Sequence, residues 1–187
     1  MNIFALHNDP KKAAQMHCDA HISKMVVESG QMLSTVHRML DGNETKRLSK
    51  SGKRMIKYWE HPDINLELTL YKAVHMNHPC TVWSRESSAN YKWHYRLFIE
   101  LAKEYTHRYS KDHATLLKLE KILANPPQNM TSGNLTPFRL AMKSQPQCMN
   151  ENDPISSYRQ FYQTKQERFN MKWTNRTAPK WFNFLSA

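Results

Sequence analysis

Six polar or ionisable residues crowd one stretch of the chain: His17, Cys18, Asp19, His21, Lys24 and Glu28. On a helix, His17, His21, Lys24 and Glu28 share one stripe, because offsets of three, four and seven residues return to the same face. An amine, an imidazole and a carboxylate in one row can do acid–base work or place a nucleophile beside a proton acceptor. A solvated face with ordinary Lys24–Glu28 and His17–His21 neighbours produces the same pattern. A second cluster, His75, Asn77, His78 and Cys80, runs on into Trp83, Arg85 and Glu86. It marks a helix start, where free N–H groups and the helix dipole favour a phosphate or carboxylate. Capping by Asn77, with Pro79 at the first helical position, accounts for it equally. Both clusters hold soft ligands: His17 and His21 at i, i+4 spacing, with Cys18, His78 and Cys80 as further donors. Neither a CxxC pair nor an HExxH segment is present, so no metal ligand and no cofactor is assigned.

The cations are unevenly placed. Lys and Arg number 27 against 16 Asp and Glu, a formal net charge of +11 with a pI near 9.6. A clustered surplus of this size favours a polyanionic partner over solubility alone. Lys46, Arg47, Lys50, Lys53, Arg54 and Lys57 set six cations in twelve positions, with Ser49, Ser51 and Gly52 between them. Small polar residues among cations let a loop lie close to a phosphate backbone. The tail interleaves Arg168, Lys172, Arg176 and Lys180 with Phe169, Trp173, Trp181 and Phe182. Cations hold phosphate while aromatic faces stack on a displaced base. The same aromatics can instead pack the last helix onto the core. No Gly-rich phosphate loop, GxSxG or dinucleotide fingerprint occurs, which argues against nucleotide-hydrolase, esterase and Rossmann readings.

The elements that must position these groups are legible in outline. A chain of 187 residues suits one domain spanning 1–187. Three well-separated cysteines fit a reducing compartment, and no apolar run is long enough for a membrane span. The start, Met1-Asn2-Ile3-Phe4-Ala5-Leu6-His7, has no basic region ahead of a long apolar stretch, unlike a signal peptide. Residues 2–6 read as an extended lead-in. Asp9 and Pro10 read as N-cap and first residue of a helix, broken near Asp19 and continuing to Asp41, with Gly42 as a left-handed cap. Residues 44–63 read as a basic, turn-rich loop, and 64–76 as helix or strand. A second long helix runs from Asn77 to about Tyr109, and a shorter one from about Lys111 to Ala124. With four prolines, 126–152 reads as a long surface loop. Asp153 and Pro154 open a last helix to about Asn170. The expected fold is therefore all-α: two long and several shorter helices, a basic surface and long loops.

Several of these segments resemble one family in the same order along the chain. The opening Met1-Asn2-Ile3-Phe4-Ala5-Leu6-His7 resembles the start of the bacterial branch of the pyrimidine-dimer DNA glycosylases. Asp19-Ala20-His21 with Glu28 seven residues on is similar to the phage endonuclease V type, whose catalytic glutamate stands seven residues after a DNA-contacting histidine. Asn77-His78-Pro79 resembles the His-Pro element before that family's second long helix. Ala178-Pro179-Lys180-Trp181-Phe182 is similar to its tail. The resemblance implies a mainly helical protein that kinks DNA, flips a base and attacks the sugar C1′ with an amine to form an imine, a carboxylate assisting. It assigns Glu28 as the carboxylate, His21 as a DNA or sugar contact and the amino terminus, Met1, as nucleophile. An α-amine has a reference pKa near 8, so a useful fraction is neutral at neutral pH. The chain departs from the phage member near its start: the size of Asn2 disfavours removal of Met1, and the arginines that follow the nucleophile in that member are absent, Phe4 and Ala5 being apolar. Lys24 is the alternative amine.

The resulting expectation is a glycosylase acting on a damaged or modified DNA base, with abasic-site lyase activity as its extension. Lys46, Arg47, Lys50, Lys53, Arg54, Lys57, His78, Arg85, Arg176 and Lys180 are the expected DNA contacts, and Trp83, Trp93 and Trp181 the expected stacking residues. DNA is the expected partner, with no membrane contact and a monomeric chain. The Asn- and Lys-rich composition, with the resemblance, points to a phage source and the host cytoplasm. The alternatives are a non-catalytic DNA-binding protein on the same scaffold, and a metal-dependent nuclease or hydrolase using the His/Cys clusters.

Overall fold

Asp9 and Pro10 start the first helix as their chemistry requires. The Asp9 carboxylate accepts the Lys12 N–H, and Pro10, which has no N–H to leave unpaired, takes the first position of α1 (Pro10–Gln15). The computed structural model describes residues 1–185. A break at Cys18 separates α1 from the long helix α2 (Asp19–Asp41). Then come β1 (Asn43–Leu48), β2 (Met55–Glu60), α3 (Ile64–Thr69), α4 (Pro79–Glu86), α5 (Ser88–Tyr109) and α6 (Ala114–Leu123). After a long irregular stretch holding one short 3-10 turn, Pro146–Cys148, the chain forms α7 (Pro154–Gln163) and a final 3-10 turn, Thr164–Glu167.

Helix α2 is the spine. It packs on α5, α4 and α6, and α1 lies on α5. Ile22, Met25, Val26, Met32, Leu33 and Val36 of α2 meet Tyr91, Leu97, Phe98 and Leu101 of α5, all fully or almost fully buried. Each such side chain contributes roughly 1.5–3 kcal/mol by leaving water. The lead-in is part of the same core: Ile3, Phe4, Ala5 and Leu6 are buried. Among the described residues no helix is long and apolar enough to cross a membrane.

The all-α expectation is overturned by residues 43–60. These form an antiparallel hairpin, with Asn43 opposite Glu60 and Leu48 opposite Met55, so the chain is mixed and about half helical. The density of cations hid the strand signal. Ile56, Tyr58 and Trp59 carry β-favouring side chains, and Gly52 takes the left-handed conformation (φ +69°) that the connecting turn needs. Arg47 pairs with Glu60 at 2.8 Å and Lys57 with Glu44 at 2.9 Å across the strands.

Other boundaries shift for identifiable reasons. The segment 64–69 is a helix, capped by Asp63. The expected helix from Asn77 to Tyr109 is two, divided at extended Ser87, whose hydroxyl caps α5 by accepting from the Asn90 N–H. His78, not Asn77, caps α4: its Nδ1 accepts from the Cys80 N–H. Gly42 is not left-handed. Its φ is −92°, and it is required because a Cβ there would stand 2.4 Å from the Arg38 carbonyl oxygen and 3.0 Å from that of Glu60.

Arg38 fastens the hairpin to the spine. Its buried guanidinium donates to the carbonyls of Trp59, Glu67, Leu70 and Tyr71 and to the Glu67 carboxylate at 2.5 Å. Glu67 in turn accepts from the Tyr58 hydroxyl and the His61 N–H. Removing one partner of a buried pair strands the other, at about 3–5 kcal/mol. We expect Arg38→Ala to lose stability on that scale in urea unfolding; a loss below about 1 kcal/mol contradicts the anchoring role.

Candidate active site

Glu28 lies in the third turn of α2 and is only 8% exposed. Its Oε2 accepts the backbone N–H of Asn2 at 2.8 Å and stands 3.7 Å from the terminal amine of Met1. Its Oε1 lies 3.6 Å from Nζ of Lys24, one turn earlier. One carboxylate therefore faces both amines singled out in the sequence. The surroundings differ: the Lys24 side chain is 62% exposed, whereas the Met1 side chain is only 6% exposed.

The lead-in is locked so that this meeting is obligatory. The Asn2 side-chain amide donates to the Ala141 carbonyl at 3.0 Å, and its carbonyl oxygen accepts the Phe4 N–H at 2.8 Å. Phe4 is held at φ 39°, a region that costs a side-chain-bearing residue of order 1 kcal/mol or more. That turn lays the Phe4 ring over His21, with centroids 4.9 Å apart and planes 25° from parallel.

His21 is buried behind Phe4, and its Nδ1 sits 2.8 Å from the Tyr162 hydroxyl. That hydroxyl also accepts the Cys18 N–H at 2.8 Å, which fixes it against the His21 ring. Burial first, then the charges of His17, Lys24 and Lys165, push the His21 pKa down to about 3. His21 is thus a neutral hydrogen-bonding group at neutral pH. His78 stands close enough to feel both the terminal amine and Glu28; burial, then the amine and His75, lower its pKa.

Above this floor is a pocket walled by Phe4, Phe161 and Phe169 and bordered by Lys24, Lys165 and Arg168. Lys165 Nζ lies 3.5 Å from the centre of the Phe161 ring. Burial, then the Arg168 charge, lowers the Lys165 pKa. Flat apolar walls, a cationic border and a single carboxylate at the base suit a planar group attached to an anion.

Met1, His21, Lys24 and Glu28 are therefore brought together, with His78 beside them. Of the expected stacking residues, Trp83 and Trp93 belong to the core, while Trp181 is half-buried. Trp83 is 0% exposed, Trp93 is buried edge-to-face against it, and their indoles donate to the carbonyls of Thr136 and Asn8. Trp181 packs against Phe182 and Tyr162 with the Arg159 guanidinium over its ring. Large aromatics are worth more in the core than in solvent, and that decides their placement. Of the expected phosphate contacts, Arg176 is committed to Glu104 through two bonds of 2.8 and 2.9 Å, and Arg85 donates to the Met76 carbonyl. Lys46, Arg47, Lys50, Lys53, Arg54, Lys57 and Lys180 are exposed. The His/Cys clusters assemble no set of three metal ligands; among the described residues, the only such group is His37, Asp41 and His61.

Sequence reasoning missed Asn2, Ala141, Phe161 and Lys165. The 161, 165, 168, 169 spacing was the available signal, since these positions share one side of a helical turn. Comparison of the chain with family models, curated proteins and solved structures found no match.

The buried histidines set a pH dependence. The pKa values of His17, His21 and His94 fall to about 4, 3 and 3, burial being the leading cause in each. Unfolded, they take up protons below about 6.5, so the unfolded state binds more protons between that pH and the folded values. Stability is unaffected by these residues above about pH 6.5 and falls as pH drops toward about 4. Carboxylates held low, such as Glu104 under its Arg176 and Arg108 hydrogen bonds, add losses only near and below about pH 4. Urea midpoints should decline between about pH 6.5 and 4.5; a flat profile there contradicts neutral burial.

Proposed function

We propose that this chain is a DNA-base glycosylase for a damaged or modified base, with abasic-site lyase activity, using the Met1 amine as nucleophile and Glu28 as its partner. The observation that carries the reading is the Met1 amine 3.7 Å from a buried carboxylate, beside an aromatic, cation-bordered pocket. The order of motifs shared with the pyrimidine-dimer glycosylases supports the same assignment.

In this reading a nucleotide swings out of the duplex and its base enters the pocket beside Phe4, Phe161 and Phe169. The neutral amine attacks C1′. The C1′–N bond to the base breaks, the electron pair leaves with the base, and the base takes a proton. The amine nitrogen gives up one proton to Glu28, and Glu28 returns it to O4′ as the nitrogen lone pair opens C1′–O4′ and the protonated imine forms. Glu28 also offsets positive charge on the sugar during bond breaking. Loss of a C2′ proton from the imine then expels the 3′ phosphate. In the same reading Lys24, Lys165 and Arg168, which border the pocket, hold the flanking phosphates, and His21 hydrogen-bonds the sugar. The exposed cations of the β1–β2 hairpin supply non-specific phosphate contacts.

The test is borohydride trapping on duplexes carrying an abasic site, a pyrimidine dimer or a modified pyrimidine. A covalent adduct mapped to the amino-terminal peptide supports the reading; an adduct at Lys24 moves the nucleophile there. Base release without an adduct indicates activated water in place of an amine. Binding without release or adduct on any of these substrates favours the non-catalytic DNA-binding alternative. Glu28→Gln should lower turnover by about 10²-fold or more while leaving DNA affinity near wild type.

The hairpin has its own signature. Replacing Lys46, Lys50, Lys53 and Arg54 together with Ala should flatten the dependence of log affinity on log salt by up to about 4, near 0.9 for each phosphate that the hairpin no longer neutralises. An unchanged slope places the DNA elsewhere.

A further inference from the structure

A second polar cavity lies toward the far end of α2 and has no part in the chemistry above. His37 and Asp41 are one turn apart in that helix, and His61 directly follows β2. One side-chain donor atom from each lies within 4.8 Å of the other two. The cavity is also lined by Pro62, Ile122, Pro126 and Pro127.

Two buried ring nitrogens in this cluster have no hydrogen-bond partner: His37 Nδ1 and His61 Nε2. The residues are only 3% and 6% exposed. An unmet buried polar atom is costly, so two such atoms from neighbouring residues call for a shared partner. The environment of His37 specifies what kind. The Tyr91 hydroxyl donates its proton to the Leu123 carbonyl at 2.9 Å and lies 2.7 Å from His37 Nε2. The Tyr91 oxygen must then accept from Nε2–H, which leaves Nδ1 with a bare lone pair. An imidazole whose other nitrogen donates to a fixed oxygen is in the state a metal ligand requires.

Asp41 is oriented in the same manner. Its Oδ2 accepts the Gln128 N–H at 2.7 Å and its Oδ1 the Asn129 N–H at 2.9 Å, leaving each oxygen a free lone pair. His61 Nδ1 accepts from the Asp63 N–H at 3.1 Å. Ligation through Nε2 moves the ring proton to Nδ1 and releases that N–H, which belongs to an exposed residue and can be taken by water.

We propose that His37, Asp41 and His61 bind one divalent transition-metal ion of the zinc class, with water completing the coordination. Two imidazoles and one carboxylate are a donor set that such ions accept. His37 stands nine residues beyond Glu28, roughly 13 Å along the helix axis, so the ion is remote from the Met1 amine. Its role is a staple: it ties the end of the hairpin and the 126–129 segment to α2.

The experiment uses the full chain, stripped with chelator and then titrated with Zn²⁺ by calorimetry, with Co²⁺ absorption as a second readout. We expect one Zn²⁺ per chain, a rise in melting temperature on loading, and a Co²⁺ spectrum of low-coordinate nitrogen and oxygen ligation. His61→Gln and the near-isosteric Asp41→Asn should each weaken binding about tenfold or more, while Glu28→Gln leaves it unchanged. Stoichiometric binding that survives both cluster substitutions overturns the proposal, because the ion then sits elsewhere. Wild-type protein that takes up neither Zn²⁺ nor Co²⁺ also overturns it, and that result does not depend on any variant folding.

Discussion

A buried carboxylate must be met by hydrogen bonds and positive charge, and Glu28 imposes that condition on the rest of the molecule. Its partners are the Asn2 N–H, the Met1 amine and, at the rim, Lys24. To deliver them, the chain start must run through the interior. This is why Ile3 to Leu6 are buried and why Phe4 is held in a conformation it would otherwise avoid. The strain is sustained by what surrounds it: Asn2 bridges to Ala141, and Phe4 stacks on His21 and Phe161.

Helix α2 can present Glu28 accurately because both its ends are fixed. Near the start, Asp19 binds Arg108 and Thr174, and Glu104 receives both Arg108 and Arg176, so α2, α5 and the tail are joined by one ionic network. Burial opposes ionisation of Asp19 and Glu104, and the hydrogen bonds outweigh it, holding both pKa values low. Near the other end, Arg38 collects four carbonyls and the Glu67 carboxylate, and His37 and Asp41 turn their donors toward His61. Arg176 therefore acts as a tail clamp rather than a phosphate contact. On the hairpin, Arg47 and Lys57 are paired with Glu60 and Glu44, while Lys46, Lys50, Lys53 and Arg54 are exposed.

Much of the helical framework was legible because its signals are local. Asp9-Pro10 and Asp153-Pro154 cap helices whose apolar residues recur at three and four, and the resulting faces are buried. The hairpin was not legible, since six cations in twelve residues resemble a loop until Tyr58 and Trp59 are given an anchor in Arg38 and Glu67. Of the expected stripe His17, His21, Lys24 and Glu28, the last three form a row on α2, whereas His17 falls before the helix starts. The row's split into a buried carboxylate, a neutral imidazole and an exposed amine depends on Phe4, Tyr162 and Asn2, which lie far away in sequence.

The sequence by itself determined where α1 and α7 begin, which residue types share a face, and that the chain carries a clustered positive charge. Those properties follow from backbone capping, helical periodicity and composition, each settled within a few residues. Only the tertiary structure decided that Trp83 and Trp93 are core rather than stacking platforms, that Arg176 is occupied, and that Met1 meets Glu28. It alone also joined His37, Asp41 and His61. Burial, desolvation and ion-pair choice are decided by which distant segments are pressed together, and local pattern carries no record of that.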